Sequence, residues 1–209
     1  LVDFKKAFDR INHNVLINKL VRLGVHDKIV SWIRSFLCQR QQRVKLGQST
    51  SEWKYVQGGV PQGTKLGPLL FTIMLSDLKL EFPMVKYVDD TTVYDICKVE
   101  SQCSLQRALD ELLTWTKAND MQINPQKTSE MVINFTKDAI VHPLTIDGKP
   151  VDCVQEIKLL GLWINDKLNW NTHVEKVYAR AVSRLFLLVQ LRRAGLVQDD
   201  LCRYYTKLA

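Results

Sequence analysis

No stretch of this sequence stays apolar long enough to cross a bilayer. The longest apolar run, Leu69 to Leu75, is short and follows Gly67-Pro68, whereas a spanning helix needs about 20 such residues. No membrane partner is expected. Cysteine is too sparse and scattered to act as a staple: Cys38, Cys97, Cys103, Cys153 and Cys202 are odd in number and include no Cys-x-x-Cys. A disulfide framework is not expected; a reducing, intracellular setting is, in the nucleus or the cytoplasm. His13, His26, His142 and His173 lie far from the cysteines in the spacing a zinc site needs, so no zinc is assigned. Internal repeats, low-complexity tracts and a signal peptide are absent. The first residue is not Met, and the chain opens as if cut from something longer.

What is present is an ordinary globular composition with a basic bias. With 46% hydrophobic and 24% charged residues, a chain of 209 residues can bury a sizeable core in one or two domains. A net charge of +7 and a pI near 9.2 favour a polyanionic partner.

Leu1 to Phe4 reads as the end of a strand. Asn12 caps a helix whose Leu16, Leu20 and Leu23 share a face and which Gly24 ends. A second helix carries Ile29, Trp32, Ile33, Phe36 and Leu37, with Asp27 near its N-terminus. The basic segment from Arg40 to Lys45 leads into a pair of strands with Trp53 to Gln57. A third helix starts near Leu66 and runs to about Lys79. The clearest helix follows, with Leu105, Ala108, Leu109, Leu112, Leu113 and Thr116 in one stripe ending near Asn119. Met131 to Phe135 reads as a strand, Asp147-Gly148 as a tight hairpin, and Ile157 to Ile164 as a further strand. Asn165 to Asn171 is a polar boundary before one final helical piece. There Val174, Val177, Tyr178, Ala181, Leu185 and Leu188 oppose Lys176, Arg180 and Arg184. Irregular alternation with hairpins makes the class α+β.

The chemistry centres on Met84 to Asp95. Two β-favouring runs flank Asp89-Asp90, which reads as a strand, an Asp-Asp turn and a strand. Adjacent carboxylates repel unless solvent or a cation compensates, and hard divalent ions take such oxygen ligands. Two-metal phosphoryl transfer needs carboxylates from separate elements. Asp3, where Leu1-Val2 runs out, is the natural third ligand. Asp110 and Glu111 compete, but their place on a helix surface marks them as solvated charge.

Three blocks carry a resemblance: Asp3-Phe4-Lys5-Lys6-Ala7-Phe8-Asp9, then Gly59-Val60-Pro61-Gln62-Gly63 through Phe71, then Tyr87-Val88-Asp89-Asp90. In this order they resemble the palm motifs of reverse transcriptases of non-LTR (LINE-type) retrotransposons. Asn124-Pro125-Gln126-Lys127-Thr128 and Lys158-Leu159-Leu160-Gly161-Leu162 resemble two further motifs of that family. Val88 stands where LINE-type enzymes more often carry Ala.

The resemblance implies an α+β right-hand polymerase palm, an antiparallel sheet packed on helices. Residues 1–165 would hold the palm with the second part of the fingers (about 11–60), and residues 166–209 the start of a helical thumb. It implies an RNA-directed DNA polymerase that uses two Mg²⁺ ions, with Mn²⁺ as an alternative. Its partners would be an RNA template, a DNA primer and deoxynucleoside triphosphates. Asp3, Asp89 and Asp90 would bind metal, and Lys127 would assist departure of pyrophosphate. Phe8 would be a steric gate under the sugar. Gln62 and Gly63 would contact the nucleotide, as would backbone amides between Phe4 and Phe8. Leu160 and Gly161 would grip the primer, and Lys176, Arg180 and Arg184 would follow nucleic-acid phosphates. Asp9 reads as structural, hydrogen-bonding at the turn before Asn12. The family's upstream fingers and endonuclease are missing from the expected set, so this fragment alone is expected to bind a duplex yet extend a primer poorly. Group II intron-type and telomerase-like reverse transcriptases are the nearest rival readings within the enzyme class; a non-catalytic remnant that at most binds RNA is the alternative from another class.

Overall fold

A computed structural model describes residues 1–97, 104–135 and 143–208. Cys103 and His142 lie outside them. The described residues form two compact units, one from residues 1–130 and 143–153, the other from residues 131–135 and 154–208.

The first unit opens on α1 (His13–Arg22) and α2 (Asp27–Leu37). The Asn12 side chain accepts from the amides of Asn14 and Val15, which satisfies two donors that a helix start leaves open. Gly24, at φ +74°, ends the turn between the helices. A ribbon of short strands follows, with β1 (Gln41–Gln42), β2 (Lys45–Leu46), β3 (Ser49–Thr50) and β4 (Lys54–Tyr55) nested so that β1 pairs with β4 and β2 with β3. Next come α3 (Leu66–Met74), the hairpin of β5 (Met84–Tyr87) and β6 (Asp90–Val93), and α4 (Leu105–Ala118). The unit closes with β7 (Ser129–Glu130), the hairpin of β8 (Thr145–Ile146) and β9 (Lys149–Pro150), and β10 (Asp152–Cys153), which runs parallel to β7.

The apolar faces read from the sequence meet in one core. Leu16, Ile17 and Leu20 of α1 join Ile33 and Leu37 of α2, Leu70, Phe71 and Met74 of α3, and Leu112 of α4. Each such side chain contributes about 1.5–3 kcal/mol when fully buried. One cation enters this core. Lys19, 5% exposed, pairs its ammonium with Asp77, donates to the Met74 carbonyl at 2.6 Å, and lies 4.8 Å over the Trp115 ring. The Trp115 indole donates to the same Asp77 carboxylate at 3.1 Å. Three elements therefore meet at one buried ammonium, and burial pushes its pKa down.

The second unit contains β11 (Glu156–Leu159), β12 (Leu162–Asn165), α5 (Asn171–Arg193) and α6 (Gln198–Leu208). The polar stretch expected as a boundary is a hydrogen-bonded joint. The Asn165 amide donates to Asn169 Oδ1 at 2.9 Å and Thr172 Oγ1 at 3.1 Å, linking β12 to the start of α5.

Several expectations need correction. The antiparallel sheet appears among the described residues as two-stranded pieces, with Leu1 to Phe4 joined to its neighbours through isolated bridges. The strand expected over Met131 to Phe135 lies earlier, at Ser129–Glu130, where its partner β10 is only two residues long. Ile157 to Ile164 is a hairpin, because Leu160 and Gly161 both adopt positive φ (+47° and +91°) and reverse the chain. The single final helix is two, broken at Gly195 with φ +88°. α5 buries no residue, and its apolar Val174 and Tyr178 stay exposed.

Removing the partner of the buried ammonium should be costly. Asp77→Ala is expected to lose about 1–3 kcal/mol, less than for a fully buried pair because Asp77 is half exposed. Lys19→Met, which removes the charge and keeps apolar bulk, should lose less. Urea denaturation of both variants checks the order.

Candidate active site

The β5–β6 hairpin pairs Tyr87 with Asp90, so its turn is Val88-Asp89, one residue earlier than the Asp-Asp turn read from the sequence. Asp90 is the first residue of β6. The left-handed position, expected on an aspartate, falls on Val88 at φ +55°. A β-branched residue there is a backbone outlier that costs on the order of 1–3 kcal/mol. Packing holds it: Met84 and Val88 lie against the core, and Lys86 between them donates to the carbonyls of Leu75 and Leu78, both at 3.0 Å. The hairpin is thereby tied to the segment leaving α3.

The opening segment threads between this hairpin and residues 121–124. The Val2 amide donates to the Thr91 carbonyl at 2.8 Å, and Phe4 bridges Ile123. Val2 and Phe4 are buried, and alternation turns Asp3 to the opposite side. Its backbone is held at both ends: the Asn124 amide donates to its carbonyl at 2.7 Å, and its own amide donates to Thr128 Oγ1 at 3.3 Å. Lys127 lies in the turn between those two residues with an exposed side chain.

Asp3, Asp89 and Asp90 are thus brought together. Burial first, then the charges of Asp89 and Asp3, hold the Asp90 carboxyl above its ordinary pKa. These influences on Asp90 all disfavour its charged form. The donor set consists of carboxylate oxygens from two separate segments, which fits a hard divalent cation. Among the described residues, no three His, Cys, Asp or Glu side chains are gathered closely enough to enclose an ion. The chemistry fits Mg²⁺, while the carboxylates are not drawn onto one centre. Next to them Thr91 is fully buried, and its hydroxyl has no hydrogen-bond partner among the described residues.

A second cluster surrounds Phe8. Its ring stacks on the buried Phe71 at 4.7 Å, and its carbonyl accepts from the Val60 amide at 2.8 Å. Gly59, at φ +82°, passes so close that an added Cβ would stand 2.7 Å from the carbonyl oxygens of Phe8 and Asp9. His13 Nε2 lies 2.7 Å from the Gly59 carbonyl. Gln62 is exposed, and its amide donates to Asp9 Oδ1 at 3.1 Å. Asp9 is therefore structural in a way the sequence did not suggest: it holds Gln62, not the turn before Asn12. A Cβ at Gly63 would meet nothing within 4 Å. Among the amides from Phe4 to Phe8, that of Lys5 is committed to the Gln122 carbonyl at 2.8 Å. A cleft of about 820 Å³, lined by Lys5, Lys117, Asn124, Gln126 and Lys149 among others, does not include the three carboxylates.

The remaining candidates lie in the second unit. Leu160 and Gly161 form the tip of the β11–β12 hairpin, with Leu160 53% exposed. Lys176 is drawn back onto that hairpin, 2.9 Å from Glu156 and 4.7 Å over Trp163. Arg180 and Arg184 are in no ion pair among the described residues. Sequence reading gave no structural role to Lys86 and His13, which contact carbonyls of distant segments, and it placed Thr128 in a motif without indicating that its hydroxyl accepts from the Asp3 amide.

Comparison with known proteins gives the family. The reverse transcriptase (RNA-dependent DNA polymerase) family matches residues 1–164, and the chain belongs to that family. It is 28% identical over 197 residues to the probable RNA-directed DNA polymerase from transposon BS of Drosophila melanogaster, across 88% of this chain and 22% of the relative. Identity to the RNA-directed DNA polymerase from mobile element jockey of Drosophila funebris is 30% over 186 residues, 83% of this chain and 20% of that protein. The Pol polyprotein from type-1 retrotransposable element R2 of Popillia japonica is 25% identical over 179 residues, 77% of this chain and 30% of its own length. The chain therefore spans about a fifth to under a third of these relatives.

The raised Asp90 pKa has a sign that can be measured. The folded chain holds this proton more tightly than the unfolded chain, so stability falls as pH rises through the carboxylate range. Asp90→Asn should raise Tm at neutral pH, and the gain should vanish below the ordinary Asp pKa. Thermal denaturation across pH checks both limbs.

Proposed function

We propose that this chain is the palm-containing core of an RNA-directed DNA polymerase, adding deoxynucleotides to a primer 3′-hydroxyl on an RNA template. The observation that supports the reading is the Val2–Thr91 bridge, which joins the segment of Asp3 to the hairpin of Asp89-Asp90, in a chain of the reverse transcriptase family. Residues 1–165 correspond to the palm with part of the fingers, and residues 166–209 to the start of a thumb.

Asp3, Asp89 and Asp90 would hold the metal. When bound, two Mg²⁺ ions lower the pKa of the attacking hydroxyl and neutralise charge on the leaving pyrophosphate. Asp3 is anchored through its backbone by Asn124 and Thr128, so its carboxylate is set by the fold. Asp89, on an exposed turn, has the freedom to swing inward. The amides of Lys6, Ala7 and Phe8 are in no backbone hydrogen bond among the described residues, and Lys6 at φ +50° gives the concave turn that cradles phosphate oxygens. The Phe8 ring, fixed by its stack on Phe71, excludes a ribose 2′-hydroxyl by contact. Gln62, oriented by Asp9, hydrogen-bonds the nucleotide, and the open space at Gly63 admits it. Lys127 supports departure of pyrophosphate. Leu160 and Gly161 hold the primer end, while Arg180 and Arg184, with Lys176 once released from Glu156, follow duplex phosphates.

Mg²⁺ should raise the Tm of the 209-residue chain, and Asp90→Asn should abolish that shift. Because the 209-residue chain is expected to extend a primer poorly, extension on an RNA template is read in a longer chain with upstream sequence added, where Asp89→Asn should lower it by on the order of 100-fold or more. A parent chain that shows neither a Mg²⁺ shift nor extension would favour the non-catalytic alternative. Phe8→Ala should let ribonucleotides compete better, and discrimination left unchanged would remove Phe8 from its role.

A further inference from the structure

The start of α1 reaches a peptide 46 residues further along the chain. The Ile11 carbonyl accepts from the Gly59 amide at 2.8 Å, and His13 Nε2 lies 2.7 Å from the Gly59 carbonyl. A carbonyl oxygen only accepts, so Nε2 carries the hydrogen and donates. Both backbone polar groups of Gly59 are therefore held by one end of one helix. The next amide, that of Val60, donates to the Phe8 carbonyl at 2.8 Å. A half-buried imidazole often settles on a nearby carbonyl, and with that contact alone His13 would be an ordinary structural histidine.

The segment it holds gives the contact more weight. Only Val60 and Pro61 separate Gly59 from Gln62. Val60 is buried and the Pro61 ring fixes its own φ, so this short link has little freedom to absorb a shift at Gly59. Gln62 in turn donates to Asp9, the neighbour of Phe8, whose ring is stacked on Phe71. Among the described residues, no other side chain from outside residues 58–67 donates to a carbonyl of that stretch. His13 is thus the side chain that presses the Gln62 segment onto the Phe8 segment.

We propose that His13 is a positioning residue for nucleotide selection. Its hydrogen bond to the Gly59 carbonyl keeps the Gln62 amide and the Phe8 ring at a fixed spacing around the nucleotide sugar. This inference rests on the polymerase reading and extends it to a residue that acts only through others. The carboxylate centre is tied to different segments through Val2 and Phe4, so His13 affects nucleotide binding and sugar choice more than turnover.

Amide hydrogen exchange in the 209-residue chain reads the positioning directly. In His13→Ala the Gly59 and Val60 amides should exchange faster, while the Val2 amide, bonded to Thr91, exchanges as in the parent. Steady-state primer extension, in a longer chain with upstream sequence added, reads the consequence. There His13→Ala should raise KM for deoxynucleotides on the order of 5-fold and keep kcat within about 2-fold of the parent. Discrimination against ribonucleotides should fall in the same variant. His13→Gln, whose Nε2 carries a hydrogen at similar reach, should recover most of these losses, and the shorter His13→Asn should not. In a Gln62→Ala background, His13→Ala should add little to KM, because one residue acts through the other. Circular dichroism and Tm exclude misfolded variants; should His13→Ala fail to fold, the Gln and Asn variants decide the matter. Unchanged KM and discrimination in His13→Ala would overturn the proposal. So would a loss confined to kcat, or Gln and Asn variants that behave alike. A parent that extends no primer would overturn the polymerase reading and this inference together. A parent that extends, and stops extending on Asp89→Asn, beside an unaffected His13→Ala would overturn this inference alone.

Discussion

Two backbone bridges carry the arrangement of the candidate active site. Val2 to Thr91 and Phe4 to Ile123 place one short segment between a hairpin and the residues that follow α4. Asp3 stands between the bridges. Because side chains alternate along an extended chain, a slip by one residue would bury Asp3 and expose Val2 and Phe4. Burial of those two side chains therefore fixes the direction of the carboxylate between them. Asp3 is oriented by its apolar neighbours, and the hydrophobic effect sets its register.

The same segment meets an opposing demand. Burial of Asp90 first, and then the neighbouring charges of Asp89 and Asp3, disfavour its charged form in the folded chain and raise its pKa. The turn adds strain at Val88. Lys86, tying the hairpin to the carbonyls of Leu75 and Leu78, and the packing of Met84 and Val88 offset these costs from outside the site. Local unfavourable terms held by distant favourable ones are what a ligand-binding site in a marginally stable fold requires.

Helices were legible in the sequence and short strands less so. The stripe of α4 buries Ala108, Leu109, Leu112 and Thr116 as its period marks. In α1, by contrast, Leu16 and Leu20 are buried and Leu23 is exposed, and in α2 Ile33 and Leu37 are buried with Val30 while Ile29 and Trp32 face solvent. The Asp147-Gly148 hairpin follows from its turn chemistry. Leu160-Gly161 carried no such sign, because Leu seldom takes positive φ, and the hairpin was read as one strand. Turn position at Val88-Asp89 was misread for the same reason: tertiary packing placed the strained residue on Val. Asp3, Asp89 and Asp90 were legible as a set because carboxylates at strand ends carry their chemistry in their identity. Thr128, Asn124 and Lys86 were not, since what they do depends on where the chain folds back.

Gly59 sets a limit on change in this architecture. Its missing side chain lets one segment lie against the carbonyls of Phe8 and Asp9 with no space between them. A single methyl group there would act as a wedge, lifting the stretch that carries Gln62 away from the residues it works beside. If Gln62 contacts nucleotide as proposed, mutational damage at Gly59 would look like a defect in nucleotide handling, although the residue offers no side chain to touch a nucleotide. Functional maps drawn from substitution data alone would then enclose a position whose whole contribution is its lack of volume.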